Sequence, residues 1–404
     1  MADASVSSRA GDAHRAEADG SGVAADRIWI ERLQLTDFRN YDGLTLTVGP
    51  APVVLTGANG SGKTNLLEAL SLLTSGQGLR RAPYPELARM GHPSWTVAAR
   101  LVTPYGPVDL GTGLDARTDG GRGTRMVRID GQTQSGAGAL AEYVEMVWLT
   151  PAMDALFTGA ASDRRRFLDR LISGLDPSYR RLLGRFERAM QQRNRLLAED
   201  ARQAARFEGF ERIMAEAGVA VAAARATAVA ALSAAIAARR DAGHGALFPW
   251  AELALVGALE LGLAAQPAVD VEDNYARQLG RERERDRAAG RTLEGPHRSD
   301  LIVGHGPKEM PAKVCSTGEQ KALLVGLVLA HCDLVAQRRG VAPVMLLDEI
   351  AAHLDPLRRA ALFEEIVALG SQTWMSGTDP EPFAALGNRA QFHRVEEGRI
   401  TASP

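Results

Sequence analysis

The chain has 404 residues, 45% hydrophobic and 24% charged, with a formal net charge of −2. That length suffices for one large core or two smaller ones, and the near-neutral balance supplies no whole-molecule field to draw a polyanion. Cys315 and Cys332 stand without Cys-x-x-Cys spacing or a flanking histidine pair, which excludes a disulfide framework and a finger-type zinc site.

Residues 1–26 are mostly Ala, Gly, Ser and Asp without an apolar run, so they read as a disordered tail rather than a secretory signal. From residue 27 the pattern alternates: Ile28 and Ile30, Leu33 and Leu35, then Leu44, Leu46 and Val48, around the turn-like Arg39–Gly43. Two or three antiparallel strands follow from it. Val53–Leu55 then reads as a buried strand, followed by a glycine-rich loop and a helix built on Leu66, Leu67, Leu70 and Leu73. Residues 95–150 return to strands, with turn signals at Gly120-Gly121 and Asp130-Gly131, and end in Val144–Leu149 before Pro151.

From Pro177 the period becomes helical. Tyr179, Leu182, Phe186, Ala189 and Leu196 step by threes and fours, with Arg193 breaking the seam. Beyond a polar break at Asp200–Gln203, Phe207, Phe210, Met214, Ala217, Val221 and a run of alanines to Ala238 continue the spacing. Two antiparallel arms and an ordinary helical subdomain suit this pattern equally. Val219–Ala238 is apolar enough to be considered as a membrane span, but Arg225 inside it is costly in hydrocarbon, so the expectation is a helix outside any membrane. Past Pro296 come a strand at Leu301–Val303, a helix from Glu319 to about Gln337, a strand at Val344–Leu347, a helix at Pro356–Leu369 and a strand at Thr373–Ser376. The expected fold is α/β and discontinuous: residues 27–170 and 292–404 form one domain, interrupted by a helical insertion over 171–291.

Three motifs carry chemistry. Gly57-Ala58-Asn59-Gly60-Ser61-Gly62-Lys63-Thr64 is a full G-x-x-x-x-G-K-[ST] phosphate loop placed between strand and helix, as its mechanism requires. Its amides and the helix dipole suit a polyphosphate, Lys63 suits the β- and γ-phosphates, and Thr64 suits Mg²⁺. Asn59, Ser61 and Asn65 are candidate secondary contacts. Only four of the 47 basic residues are lysine, so Lys63 stands out against an arginine background. A compact ammonium is not imitated by guanidinium.

Second, Val344-Met345-Leu346-Leu347 runs into Asp348-Glu349. A buried parallel strand would deliver both acids to the ligand edge of the sheet, Asp348 toward Mg²⁺ and Glu349 as general base for water. Third, Cys315-Ser316-Thr317-Gly318-Glu319-Gln320 opens a helix with capping-box spacing. Standing ahead of the acidic strand end, it has the order of the signature loop of ABC-type ATPases, where Ser316, Gly318, Glu319 and Gln320 would complete the ATP site of a second subunit. Ala351-Ala352-His353-Leu354-Asp355 resembles the D-loop of the same superfamily, although Asp355-Pro356 is also a plain helix start. After Gln372–Ser376, Thr378 or Asp379 stands where many such ATPases carry a sensing histidine.

Further matches are Asp37-Phe38-Arg39-Asn40-Tyr41, the extension Asn65–Ala69, Asp163-Arg164-Arg165-Arg166-Phe167-Leu168-Asp169, and Leu293-Glu294-Gly295-Pro296-His297-Arg298-Ser299-Asp300-Leu301. In order and together with the phosphate loop and acidic strand, they resemble the RecF family, relatives of the SMC-type heads. The resemblance implies an ABC-type ATPase head with an antiparallel β subdomain and an inserted helical arm. It also implies an ATP-dependent homodimer on DNA in the cytoplasm, slow ATP hydrolysis, and work with RecO and RecR to place RecA at single-stranded gaps, with SOS induction. Arg39 and Asn40 would approach the nucleotide. The sequence Ser-Thr-Gly-Glu-Gln departs from the commoner Ser-x-Gly-Gln-Gln, and Thr150–Asp154 offers no evident Q-loop residue.

Direct evidence for DNA binding is thin. Arg164, Arg165, Arg166 and Arg170 suit phosphates or a solvated helix, and the alternating run Arg281–Arg287 reads as an exposed salt-bridged helix. A transporter nucleotide-binding subunit is disfavoured by the more than two hundred residues between Lys63 and Ser316, and an SMC-like structural ATPase by an insert too short for a rod.

Overall fold

The computed structural model describes residues 27–115, 124–199, 204–244, 247–350 and 354–403. The expected tail at 1–26, the polar break at 200–203 and the D-loop residues 351–353 lie outside the described residues.

Trp29–Phe38 (β1) and Tyr41–Thr47 (β2) form a hairpin that turns at Arg39-Asn40, a tighter turn than the five residues expected. Val53–Thr56 (β3) leads through the phosphate loop into Lys63–Ser71 (α1). Trp95–Thr103 (β4), Gly106–Leu114 (β5), Arg125–Ile129 (β6) and Gln132–Thr133 (β7) extend the hairpin into an antiparallel sheet of order β2-β1-β4-β5-β6-β7. Met146–Leu149 (β8) follows, then the helices Ala161–Leu175 (α2), Tyr179–Ala198 (α3) and Ala204–Asp241 (α4). Next come Ala251–Val256 (β9), Ala258–Ala265 (α5), Ala268–Arg281 (α6), Arg283–Ala288 (α7), Asp300–His305 (β10) and Met310–Pro311 (β11). Thr317–Arg339 (α8), Val344–Leu347 (β12), Pro356–Leu369 (α9), Thr373–Gly377 (β13), Gln391–Glu396 (β14) and Arg399–Ala402 (β15) complete the chain.

The second large sheet has the order β15-β14-β3-β13-β12-β8, parallel throughout except for the edge strand β15. Strands β3, β13, β12 and β8 are buried on both faces, as parallel strands covered on both sides must be, while β14 and β15 at the edge are partly exposed. Alternate side chains therefore feed two cores. Val54, Val147, Leu149, Met345, Leu347 and Met375 face α2, α4, α8 and α9, while Val53, Leu55, Met146, Leu346 and Trp374 face α1 and the antiparallel sheet. Strands β14 and β15 were not foreseen. Their alternation is diluted by His393, Arg394 and Arg399, and β14 is defined by its parallel pairing with β3 rather than by its own composition.

The 38-residue α4, about 57 Å long, belongs to neither expected alternative entirely. Its first half packs with α3, α5 and α6 in a separate cluster around Phe186, Met214, Val271 and Tyr275. Its second half, from Val221 to Ile236, enters the core shared with the parallel sheet and α8. The insertion expected at 171–291 is not purely helical: its start falls inside α2, and β9 pairs antiparallel with β10.

α4 is the one described helix long and apolar enough to cross a membrane by length and composition. Arg225 in its middle is buried and donates to Asp169 at 2.9 and 3.0 Å and to the Tyr179 hydroxyl at 3.2 Å. Arg193, which breaks the hydrophobic seam, is fully buried and bonds Glu211 (3.1 Å), Asp286 (2.6 Å), Thr292 (2.8 Å) and the Leu279 carbonyl (2.7 Å). This hub corrects the reading of Arg281–Arg287 as an exposed helix: the segment breaks between α6 and α7, Asp286 is buried, and Arg283 pairs with Glu211.

Removing one partner of a buried charge group leaves the others unpaired and costs about 3 to 5 kcal/mol. Arg193→Ala is therefore expected to lower the unfolding free energy by about that amount in urea. Arg185→Ala, which breaks the half-exposed pair with Glu216, should cost under about 1 kcal/mol.

Candidate functional site

The ends of β3, β12 and β13 converge because the three strands run parallel in adjacent positions. Leu347 pairs with Met375, so Asp348 and Ser376 emerge side by side, and Gly377 pairs with Thr56, so Gly57 emerges next to Thr378. The Gly57 N–H donates to the Thr378 carbonyl at 3.2 Å. Ligands in open α/β sheets sit at this carboxyl edge.

The loop conformation needs its glycines. A Cβ at Gly57 (φ +147) would stand 2.3 Å from the Val395 carbonyl of β14, and one at Gly62 (φ +121) would meet Asn40 Nδ2 at 2.7 Å and the Tyr41 hydroxyl at 2.8 Å. Asn40 Nδ2 donates to the Ser61 carbonyl at 3.0 Å, and Tyr41 to the Gly62 carbonyl at 3.0 Å. The β1–β2 turn thus fastens the base of the loop, while Ala58, Asn59 and Gly60 at its tip are exposed. Asn65 Nδ2 donates to Asn40 Oδ1 at 2.8 Å, so both belong to the same brace.

Lys63 Nζ lies 2.7 Å from the Gly57 carbonyl and 2.9 Å from that of Ala58. Burial pushes its pKa down, and the carboxylates of Glu349, Asp348 and Asp379 oppose that shift. Thr64 Oγ1 donates to Asp348 Oδ1 at 2.9 Å, bringing the two expected Mg²⁺ residues into contact. The same oxygen accepts from Ser376 Oγ at 2.7 Å, and Ser376 Oγ accepts from the Glu349 N–H at 3.0 Å. Glu349 sits at φ +54, a left-handed conformation that a side-chain-bearing residue adopts only when its surroundings hold it. Ser376 therefore links both acids. A single serine at a strand end carries no sequence signal of its own, which is why only the register reveals it.

The site also gains Arg80, which pairs with Glu68 (3.1 Å) and Asn65 (2.7 Å). Arg39, expected near the nucleotide, forks its guanidinium onto Glu68 at 2.9 and 3.1 Å and reaches the Glu86 carbonyl at 3.0 Å. The phosphate loop fits the group its motif implies. Ser61 Oγ is buried without a hydrogen-bond partner among the described residues, the Lys63 ammonium lies against the Gly57 and Ala58 carbonyls, and the loop tip Ala58–Gly60 is exposed. Thr64 and Asp348 suit Mg²⁺, which takes few protein oxygens beside phosphate and water.

The signature segment is exposed from Ser316 to Gly318, and no side chain crowds Gly318. The capping box is complete: the Glu319 N–H donates to Ser316 Oγ at 3.4 Å, and the Ser316 N–H to Glu319 Oε2 at 2.9 Å. Lys308 pairs with the other Glu319 oxygen and, with Ser316, holds that carboxyl down to about 2. Gln320 turns inward to the Cys315 carbonyl at 2.9 Å. Asp355 caps α9 through the N–H groups of Leu357 (3.1 Å) and Arg358 (3.0 Å). The bonds of the signature residues and those of the phosphate loop share no partner among the described residues.

The family described as RecF/RecN/SMC N terminal domain matches residues 29–383. A DNA replication and repair protein RecF of Mesorhizobium japonicum is 54% identical over 372 residues, covering 92% of this chain and 97% of that one. The chain belongs to the RecF family. A solved structure described as the recombination mediator protein RecF-ATP in the RecFOR pathway has a TM-score of 0.80 at 20% identity, covering 95% of this chain and all of that one. An Smc head domain of Pyrococcus furiosus has a TM-score of 0.51 at 15% identity, covering 93% and 96%. At these identities both show the fold, an ABC-type ATPase head. As a RecF-family protein the chain is an ATP-binding P-loop ATPase of DNA replication and repair.

Ser376→Ala removes the acceptor for the Glu349 N–H and one donor to Asp348, at a cost of about 1 to 3 kcal/mol. ATP turnover is expected to fall about tenfold, with the Kd for ATP changed less than about threefold. Equilibrium binding of a fluorescent ATP analogue and steady-state phosphate release check this.

Proposed function

We propose that this RecF-family chain is a slow, DNA-stimulated ATPase whose two copies close on each other across ATP while bound to DNA. The observation that carries the reading is the chain of hydrogen bonds Thr64–Asp348–Ser376–Glu349 N–H at the strand ends, with the Lys63 ammonium close enough to feel both carboxylates. Lys63 and the loop amides bind the phosphates, Thr64 and Asp348 hold the magnesium shell, and Glu349 accepts the proton of the attacking water. Bound Mg²⁺ would supply charge neutralisation of the β- and γ-phosphate oxygens.

Pairing of two copies is supported by the signature surface. Ser316–Gly318 is exposed at a helix N-terminus, which suits an anion, and the apolar Val314 and Leu357 beside the signature and Asp355 are 59% and 67% exposed. A salt-bridged Glu319 presents less negative charge to a facing phosphate than a free carboxylate. DNA at gaps, and RecO, RecR and RecA as partners in the cytoplasm, follow from the family resemblance.

Arginine placement refines the DNA reading. Arg164 is committed to Asp300 at 2.8 Å, Arg165 to the Ser299 carbonyl at 2.5 Å, and Arg170 stacks over Trp148. Arg166 pairs with Asp163 at the surface.

Lys63→Ala is expected to abolish ATP binding. Glu349→Gln is expected to keep it and to prolong the dimer on DNA. Light scattering of the Glu349→Gln protein with ATP and duplex DNA should report twice the monomer mass, and a purely monomeric reading overturns the trans-site arrangement.

A further inference from the structure

A second basic site lies apart from the phosphate loop. A cavity of about 290 Å³ opens between the loop Gly76–Arg81 and the facing sides of α2 and α3. Three guanidinium groups line it: Arg81 from the loop, Arg170 from α2 and Arg180 from α3.

None of the three is fully used. Arg81 is exposed and feels Asp169, Glu187 and Asp163 only at a distance, and Nε of Arg170 and Nε of Arg180 are buried without a partner. The remaining bonds of Arg170 are long, 3.4 Å to the Trp148 carbonyl and 3.6 Å to Met153 Sδ. Arg180 reaches the Ser75 carbonyl at 3.3 Å. Arg170 is clamped by the rings of Trp148 and Phe167, at 4.6 and 5.4 Å from their centroids, so its planar fork is held in place. Gly76 lets Arg180 lie against the backbone, since a Cβ there would stand 3.3 Å from Nη2.

Among the lining carboxylates, Asp169 is already engaged by Arg225 and Tyr179, leaving Glu187. Behind the cavity the buried Glu145 faces Arg170 and Arg180, but burial pushes its own carboxyl up to about 7, which weakens its hold on their charge. Burial lowers the pKa of all three arginines, Arg170 to about 9 with Arg81 adding repulsion. Guanidinium groups with free N–H donors match the oxygens of a phosphate, and Arg forks favour that geometry. The volume accommodates a phosphate with an attached sugar.

We propose that this cavity is a phosphate-binding site, with Arg81, Arg170 and Arg180 as its ligands. The phosphate belongs either to a nucleic-acid strand or to a free nucleotide or polyphosphate. The first source rests on the DNA-binding reading above; the second does not. The loop that carries Arg81 also carries Arg80, bonded to α1 behind the phosphate loop, so the two sites share one connecting segment.

The test uses Arg180→Gln and Arg81→Gln in the full chain. Arg81 is exposed, so its variant carries the test if Arg180→Gln fails to fold. With ATP present, filter binding of duplex DNA across a salt series should show affinity about tenfold weaker in each variant. The slope of log K against log salt should be shallower by about one, with the Kd for ATP unchanged. In parallel, calorimetry with pyrophosphate on Lys63→Ala protein, whose phosphate loop is disabled, should show binding that Arg81→Gln removes. Unchanged DNA binding with lost pyrophosphate binding assigns the free-phosphate source. If wild-type protein bound no DNA, the DNA reading would fail while the pyrophosphate arm still decided the cavity. Unchanged DNA affinity, salt slope and pyrophosphate binding together overturn the proposal.

Discussion

The contact between Thr64 and Asp348 joins residues 284 apart in sequence and fixes everything else in the site. It requires β3, β12 and β13 to be neighbours with their ends level, which in turn requires the parallel sheet to bury both faces. The two cores satisfy that requirement. One is roofed by α8 and the second half of α4, the other by α1 and the antiparallel sheet. Gln372 ties the two sheets together, exchanging hydrogen bonds with both backbone groups of Ile30 at 2.9 and 3.0 Å and donating to the Gly49 carbonyl at 2.9 Å. Site geometry is thus a consequence of sheet packing rather than of loop chemistry alone.

Contiguous chemistry was legible in the sequence. The phosphate loop, the acidic strand end and the capping box each carry their function within a few adjacent residues, and the structure places them on a strand–helix turn, a strand end and a helix start. What depends on register was not legible. Ser376 matters because Leu347 faces Met375, and Tyr41 because the hairpin turn lies under Gly62. Strand β14 is similar: it is a strand because β3 has an open parallel edge.

The helical insertion shows the same limit from the other side. Spacing by threes and fours predicted α3 and α4 but did not say which partner each stretch of α4 would meet. Arg193 looked like an interruption of the seam. It is the centre of a buried network that holds α3, α4, α6 and α7 together, and replacing it with an apolar residue leaves acids stranded rather than improving the core. Arg164 and Arg165, counted as candidate DNA ligands, prove to be internal struts, whereas Arg170 and Arg180, the latter marked by no motif, each keep a buried Nε donor unused.

The central claim is that each phosphate loop is completed by the signature segment of a second copy. Mixing two proteins that are inactive alone, Lys63→Ala and Ser316→Arg, tests it most directly. In a mixed dimer the intact loop of one copy meets the intact signature of the other. ATPase activity should reappear at up to about a quarter of the wild-type rate, from one working site in half of the pairs. Activity no greater than the sum of the two parents would contradict the account.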